Sequence, residues 1–186
     1  MLNKLLTSYP QYRTEYTPDA VLIEKYRRVL PGDMLTVWQQ YGFGSFLNGY
    51  LKIVNPEDWN QVLRDTYQVE DSKAIVLFAT AMADLVILEE GYLVRIDYRH
   101  GISAVVGDDM QFFLDDLADE GFLQDEMAWR PFPEAVTRLG EAAFDECYGY
   151  VPLLALGGTE RVDKLERVKL REHIALITDF AGPVVD

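Results

Sequence analysis

Covalent chemistry in a chain of this kind needs a nucleophile beside a base, and here the candidates are few. Cys147 is the only cysteine, and the imidazoles able to serve it or a serine are His100 and His173. His100 falls at the tip of an expected hairpin, where a polar turn residue is ordinary. His173 lies between Glu172 and Ile174 on an expected helix, where half-exposure accounts for it. No set of His, Cys, Asp or Glu shows metal-ligand spacing such as a paired CxxC or an HExxH, so neither metal nor other cofactor is expected. The glycine-rich stretches Gly42-Phe43-Gly44 and Gly157-Gly158 lack the GxGxxG and GxxxxGK patterns that cradle phosphate, and read as turns. The residues therefore point to a chain that binds rather than catalyses.

One stretch stands apart from this background. Between Asp108 and Met127 lie eight acids, Asp108, Asp109, Asp115, Asp116, Asp119, Glu120, Asp125 and Glu126, and no base. On a single helix starting near Asp109, the first two would sit at the positive end of the dipole, and Asp115 and Asp119 would share a face. The remaining carboxylates repel one another by a few tenths of a kcal/mol per pair, roughly. Two readings stand: a solvated helix face, or a surface for a cationic partner.

The whole chain leans the same way, with 31 acidic against 17 basic residues and a formal net charge of −14. Such a field repels nucleic-acid phosphates and anionic membranes and attracts basic proteins, although acidity also serves plain solubility. At 186 residues, 49% of them hydrophobic and 26% charged, the chain has material for one compact body. A lone cysteine fits a reducing compartment. Residues 1–10 hold no apolar run of the length that a secretory signal needs, and the longest apolar run, Ala74 to Ala83, is far short of the ~20 residues of a membrane span. The cytoplasm is the expected location.

The elements that must carry these residues follow from periodicity. Thr17-Pro18 opens a helix through Val21, Leu22, Tyr26, Val29 and Leu30, and Pro31 opens a second through Met34, Leu35, Trp38 and Tyr41, stopped by Gly42 in a left-handed conformation. A strand or short hairpin fits Phe46 to Val54, and Asn55-Pro56 caps a helix to about Thr66. Four β-prone runs, Ile75–Phe78, Leu85–Leu88, Tyr92–Tyr98 and Ile102–Val106, are punctuated by Ala83-Asp84, Glu90-Gly91 and His100-Gly101, the pattern of an antiparallel meander. In the third run Tyr92, Val94, Ile96 and Tyr98 fall on one face and Leu93, Arg95 and Asp97 on the other, as a half-exposed strand requires. Helical spacing returns with Phe112, Phe113 and Leu117 on one stripe, and Pro133 opens a helix through Val136, Leu139 and Phe144. A strand around Tyr148 to Leu156 then enters the Gly157-Gly158 turn, a segment returns from Glu160 to Val168, and a last helix buries Leu170, Ile174, Ile177 and Ala181. The expected class is α+β, a central mostly antiparallel sheet flanked by helices.

Two segments resemble known families. The run from Leu30 through Pro31-Gly32-Asp33 and Trp38-Gln39-Gln40-Tyr41-Gly42-Phe43-Gly44, with Asn48-Gly49 and Asn55-Pro56, resembles the N-terminal region of GAD-like domain proteins. The run Glu146-Cys147-Tyr148-Gly149-Tyr150-Val151-Pro152 to Gly157-Gly158, with Val162, Leu165 and the final helix, resembles the C-terminal domain of type VI secretion DNase-immunity proteins. The resemblance implies residues 1–107 as a GAD-like region and 108–186 as an immunity-type region packed with it as one unit. It also implies a cytoplasmic immunity protein whose partner is a cognate nuclease effector with a basic groove. Trp38, Gly42, Gly44, Pro152, Gly157 and Gly158 would then be scaffold, and the eight acids the toxin-binding candidates. The rival expectations are a non-catalytic regulatory or scaffold module for an endogenous basic protein, and a small-ligand binder or hydrolase on the sheet face.

Overall fold

The computed structural model of the chain describes residues 3–68 and 73–185. It starts with α1 (Asn3–Ser8) and an exposed strand, β1 (Arg13–Tyr16), neither of which shows an apolar pattern from which it could be read. The carboxylate of Asp19 accepts from the Leu22 amide at 2.8 Å and so sets the start of α2 (Ala20–Tyr26) just past the expected Thr17-Pro18. That helix stops at Tyr26 rather than near Leu30. Next comes α3 (Gly32–Tyr41), and Gly42 closes it at φ 75° and ψ −164°. This is not the left-handed helical conformation expected but a mirror-extended one, open essentially to glycine alone.

Strands β2 (Phe43–Phe46) and β3 (Leu51–Ile53) form the expected hairpin, starting earlier than Phe46. Asn55 caps a single 3-10 turn, Pro56–Asp58, before α4 (Asn60–Thr66) and the two-residue β4 (Tyr67–Gln68). The meander follows as β5 (Ile75–Thr80), β6 (Leu85–Glu89), β7 (Tyr92–Asp97) and β8 (Ile102–Gly107). After it come α5 (Met110–Asp116), α6 (Glu120–Asp125) and α7 (Phe132–Leu139). A second hairpin, β9 (Glu146–Tyr150) with β10 (Leu165–Lys169), leads into α8 (Leu170–Ala181), and β11 (Val184–Val185) pairs parallel to β4.

The main sheet has seven strands in the order β1-β2-β3-β5-β6-β7-β8, antiparallel throughout, so the class is α+β as the residue pattern implies. Side-chain alternation sorts its residues onto two faces, and both are covered. Val86 joins Phe46, Leu51 and Phe78 in a core roofed by Met34 and Trp38 of α3, Phe113 of α5 and Phe132 of α7. Leu85 and Ile87 join a second core closed by Trp59, Leu63 of α4 and Leu170, Ile174 and Ile177 of α8. Each fully buried aliphatic side chain of this kind is worth about 1.5–3 kcal/mol, which favours two thin cores over one face left wet. Lys52, buried on β3, donates to the carbonyls of Ala143, at 3.0 Å, and Glu146, and so ties the start of β9 to the sheet.

Several expectations give way here. β7 is buried on both faces after Tyr92, so Arg95 and Asp97 do not face solvent. α7 stops at Gly140, with φ 74°, and Phe144 lies beyond it on the second core. Ala181 is exposed at the end of α8, and His173 is buried at 5% exposure rather than half-exposed.

Candidate functional site

The acid-only stretch is carried by two short helices, not one. α5 ends at Asp116, and the side chain of Asp119 caps α6 by accepting from the Phe122 amide at 2.9 Å, so Asp115 and Asp119 belong to different helices. Asp109 does the same for α5, accepting from the Phe112 amide at 2.9 Å. These two carboxylates meet the unpaired amides of a helix start, a local structural task. Glu120 accepts from Gln124 at 2.8 Å, and Asp125 stands 3.6 Å from Arg130. Among the described residues no base pairs with Asp108, Asp115, Asp116 or Glu126. All eight are exposed except Asp115, which is half-buried.

Phe112 departs from the expected apolar stripe. Phe113 and Leu117 turn into the first core, whereas Phe112 is 68% exposed on α5, three residues past its cap Asp109 and four before Asp116. A large ring is thus left in water on the helix that carries Asp115 and Asp116.

Buried charges gather in one network, in which Nε of Arg95 and Nε and one terminal nitrogen of Arg99 find no hydrogen-bond acceptor among the described residues. Arg95 lies 3.3 Å from Asp84 and 3.2 Å from Asp97, and Arg99 reaches Asp84 at 3.1 Å. Burial pushes the Asp84 carboxyl up to about 6 against the pull of Arg99 and Arg95. For Asp97 burial works upward too, but Arg99 and His100 outweigh it and hold the carboxyl below its usual range. His100 sits at the hairpin tip with its ring 2.9 Å from Asp97, whose bond and charge raise the imidazole against the opposing effect of burial. The only sequence signal for this network was opposite charges two apart inside a β-prone run.

Neither candidate for nucleophilic chemistry is poised for it. Burial pushes the Cys147 thiol up to about 12, so it stays protonated at neutral pH. Burial, with the charge of Arg99, brings His173 down to about 4. Among the described residues no three His, Cys, Asp or Glu side chains are grouped to hold a metal ion, and no helix is long and apolar enough to cross a membrane.

The glycine loop is closely built. Gly157 has φ 82°, and a Cβ on Gly158 would stand 2.0 Å from the carbonyl oxygen of Pro152, which follows a cis peptide bond. Gly44 is as tightly placed, its missing Cβ 2.1 Å from the Arg13 carbonyl oxygen, and Trp38 is fully buried beside Phe43.

Residues 1–100 match the family model described as GAD-like domain, and residues 108–181 match the model described as T6SS immunity protein Tdi1, C-terminal. No curated protein matches the chain. Among solved structures, the crystal structure of Atu4351 from Agrobacterium tumefaciens has a TM-score of 0.79, covering 95% of this chain and 88% of that one at 18% identity. At that identity the likeness shows a shared fold.

Proposed function

We infer, for a chain that belongs to the GAD-like domain family and continues at residues 108–181 into a region matching type VI immunity proteins, that it binds and neutralises a cognate type VI secretion nuclease. It protects the producing cell and its kin in the cytoplasm and performs no catalysis of its own. The observation that carries this reading is the position of the acid-only stretch. The eight carboxylates fall inside the region matched to immunity proteins, on α5, α6 and their flanks, and α5 also carries the exposed ring of Phe112. A nuclease must present a basic groove to its phosphate substrate, and a −14 chain offers the complementary field. Steering of this kind acts on the encounter rate, and the seated acids then exclude the substrate.

The test is rescue and rate together. Expression should save cells from the nuclease encoded beside this gene and not from an unrelated one. Changing Asp115, Asp116 and Asp119 to Asn removes charge while keeping the α6 cap, because asparagine caps as well as aspartate. Association should slow by roughly tenfold at low salt, with the deficit closing as salt screens the field. Protection from no neighbouring nuclease would sink the immunity reading; unchanged rates in the triple variant would move the interface off this face.

A further inference from the structure

Tyr16, 40% exposed on β1, lines two adjacent clefts. One, of ≈ 270 Å³, has Val54 and Trp59 from the GAD-like region on one wall and Phe144 and Leu170 from the immunity-type region on the other. The second, of ≈ 420 Å³, runs on past Tyr16 between Pro18, Leu22 and Phe43. The two clefts of this groove share Tyr16: the first is built by both matched regions, and the second, within the GAD-like region, sets Pro18, Leu22 and Phe43 beside Asp19 and the Lys25–Glu57 ion pair at 2.6 Å.

The charged residues at the first cleft reveal what chemistry it accepts. The guanidinium carbon of Arg171 lies 5.0 Å from the centroid of the Trp59 ring, and a terminal nitrogen of the same group lies 4.0 Å from Oδ2 of Asp58. The Tyr16 hydroxyl donates to that same oxygen at 3.2 Å. An aromatic face beside an oriented carboxylate suits a planar guanidinium better than the compact ammonium of lysine. Arg171 fills the place loosely: at 4.0 Å it makes an ion pair but no hydrogen bond with Asp58, and half of its side chain is in water. Glu172 adds negative charge to the lining of the cleft, where Asp145 is paired with Lys169 at 2.6 Å.

We propose that this groove seats an extended segment of the protein partner, with an arginine of that segment taking the place on Trp59 and Asp58 that the chain's own Arg171 now holds. Neighbouring apolar side chains of the segment fill the floor on either side of Tyr16. The proposal rests on the reading of the chain as a binder of a protein toxin, and it adds a second seat, distant in sequence from the acid stretch.

The experiment titrates the full chain with N-acetyl-Leu-Arg-Leu-amide and with the same peptide carrying citrulline, an uncharged isostere of arginine. The Trp59 indole N–H is followed by NMR, with Trp38 and Trp129 as internal controls. The arginine peptide should move the Trp59 signal saturably and leave the other two in place, and the citrulline peptide should not. Asp58→Asn should weaken the effect about tenfold, the scale of one charge-assisted hydrogen bond, and Arg171→Ala, which vacates the place, should strengthen it. An unmoved Trp59, equal effects of both peptides, or no gain in Arg171→Ala overturns the proposal. In parallel, Asp58→Asn is measured against the neighbouring nuclease. A nuclease held as tightly by this variant as by the wild type overturns the groove as its seat and leaves the immunity reading intact. A nuclease bound by neither sinks the immunity reading, and the peptide result then decides the groove.

Discussion

Gly149→Ala is a severe change for one methyl group. The residue lies in β9 opposite Glu166 of β10, and its neighbour Tyr148 donates its amide to Ala81 at 2.7 Å, so the strand cannot retreat. His173 of α8 lies directly over the glycine. A Cβ there would stand 2.3 Å from Nε2, 2.4 Å from Cε1 and 2.9 Å from Cδ2 of the ring. Non-bonded atoms settle near 3.5 Å, so the imidazole must back away by roughly 1 Å. It has little room, because the helix carrying it is packed through Leu170, Ile174 and Ile177 into the second core. Overpacking of this kind costs about 1–3 kcal/mol, which for a chain of this length lowers Tm by about 2–12 °C. The diagnostic is a double-mutant cycle: His173→Ala leaves a cavity and is itself destabilising, but in that background Gly149→Ala should cost almost nothing. Urea denaturation of the four proteins, with thermal melts beside it, measures the coupling. A Gly149→Ala protein as stable as the wild type, or one with the same penalty in both backgrounds, refutes the close approach.

Two further outcomes follow from neighbouring geometry. Gly157 needs only a positive φ and has open space where a Cβ would go, whereas a Cβ on Gly158 meets the fixed carbonyls of Pro152 at 2.0 Å and Leu153 at 2.8 Å. Gly158→Ala should therefore destabilise the loop more than Gly157→Ala, whose cost is about 1–2 kcal/mol, and Gly157→Asn should be milder still; hydrogen exchange of residues 153–164 in the opposite order would contradict this. His173 is neutral in the fold, its pKa brought from 6.5 to about 4. Its contribution is fully present above the unfolded value and is lost as pH falls through about 4, on the order of 3 kcal/mol. Asp84, raised to about 6, acts in the opposite sense, since protonation as pH falls relieves its burial. The stability difference between wild type and His173→Leu should therefore shift in favour of the variant between pH 7 and pH 4, and a constant difference would show that the imidazole titrates as it does in water.

The meander was legible because its signals are local: Ala83-Asp84, Glu90-Gly91 and His100-Gly101 all lie in turns, and positive φ at Ala83, Glu90, Gly91 and Gly101 marks them. The burial of Arg95 and Asp97 was not, since alternation reports only that two faces differ. Partners in the Asp84 turn and at Arg99 decide that the polar face is dry. The break between α5 and α6 carries no glycine or proline; its one local mark, Asp119 ahead of Glu120 and Phe122, also fits a continuous helix. The acids of the candidate site were legible by count and the exposure of Phe112 was not, because Phe112 and Phe113 are adjacent and only packing against Phe78 and Phe122 selects which one turns inward. The groove could not be read at all, being assembled from Tyr16, Trp59, Phe144 and Arg171, which no spacing rule connects.

The division of the sheet between two cores bears on how the chain comes off the ribosome. The helices that roof the first face, α3 to α7, are made before β9, leaving only Tyr148, Tyr150 and Leu165 of the second hairpin to be added, but the second face waits for α8, and β4 waits for its partner β11. Throughout synthesis of the middle of the chain, Leu85, Ile87, Val94 and Ile96 form a greasy surface with only α4 over it. A nascent protein in that condition is a client for holdase chaperones. It also cannot complete the cleft beside Trp59 until the far wall, Phe144 to Glu172, has been translated.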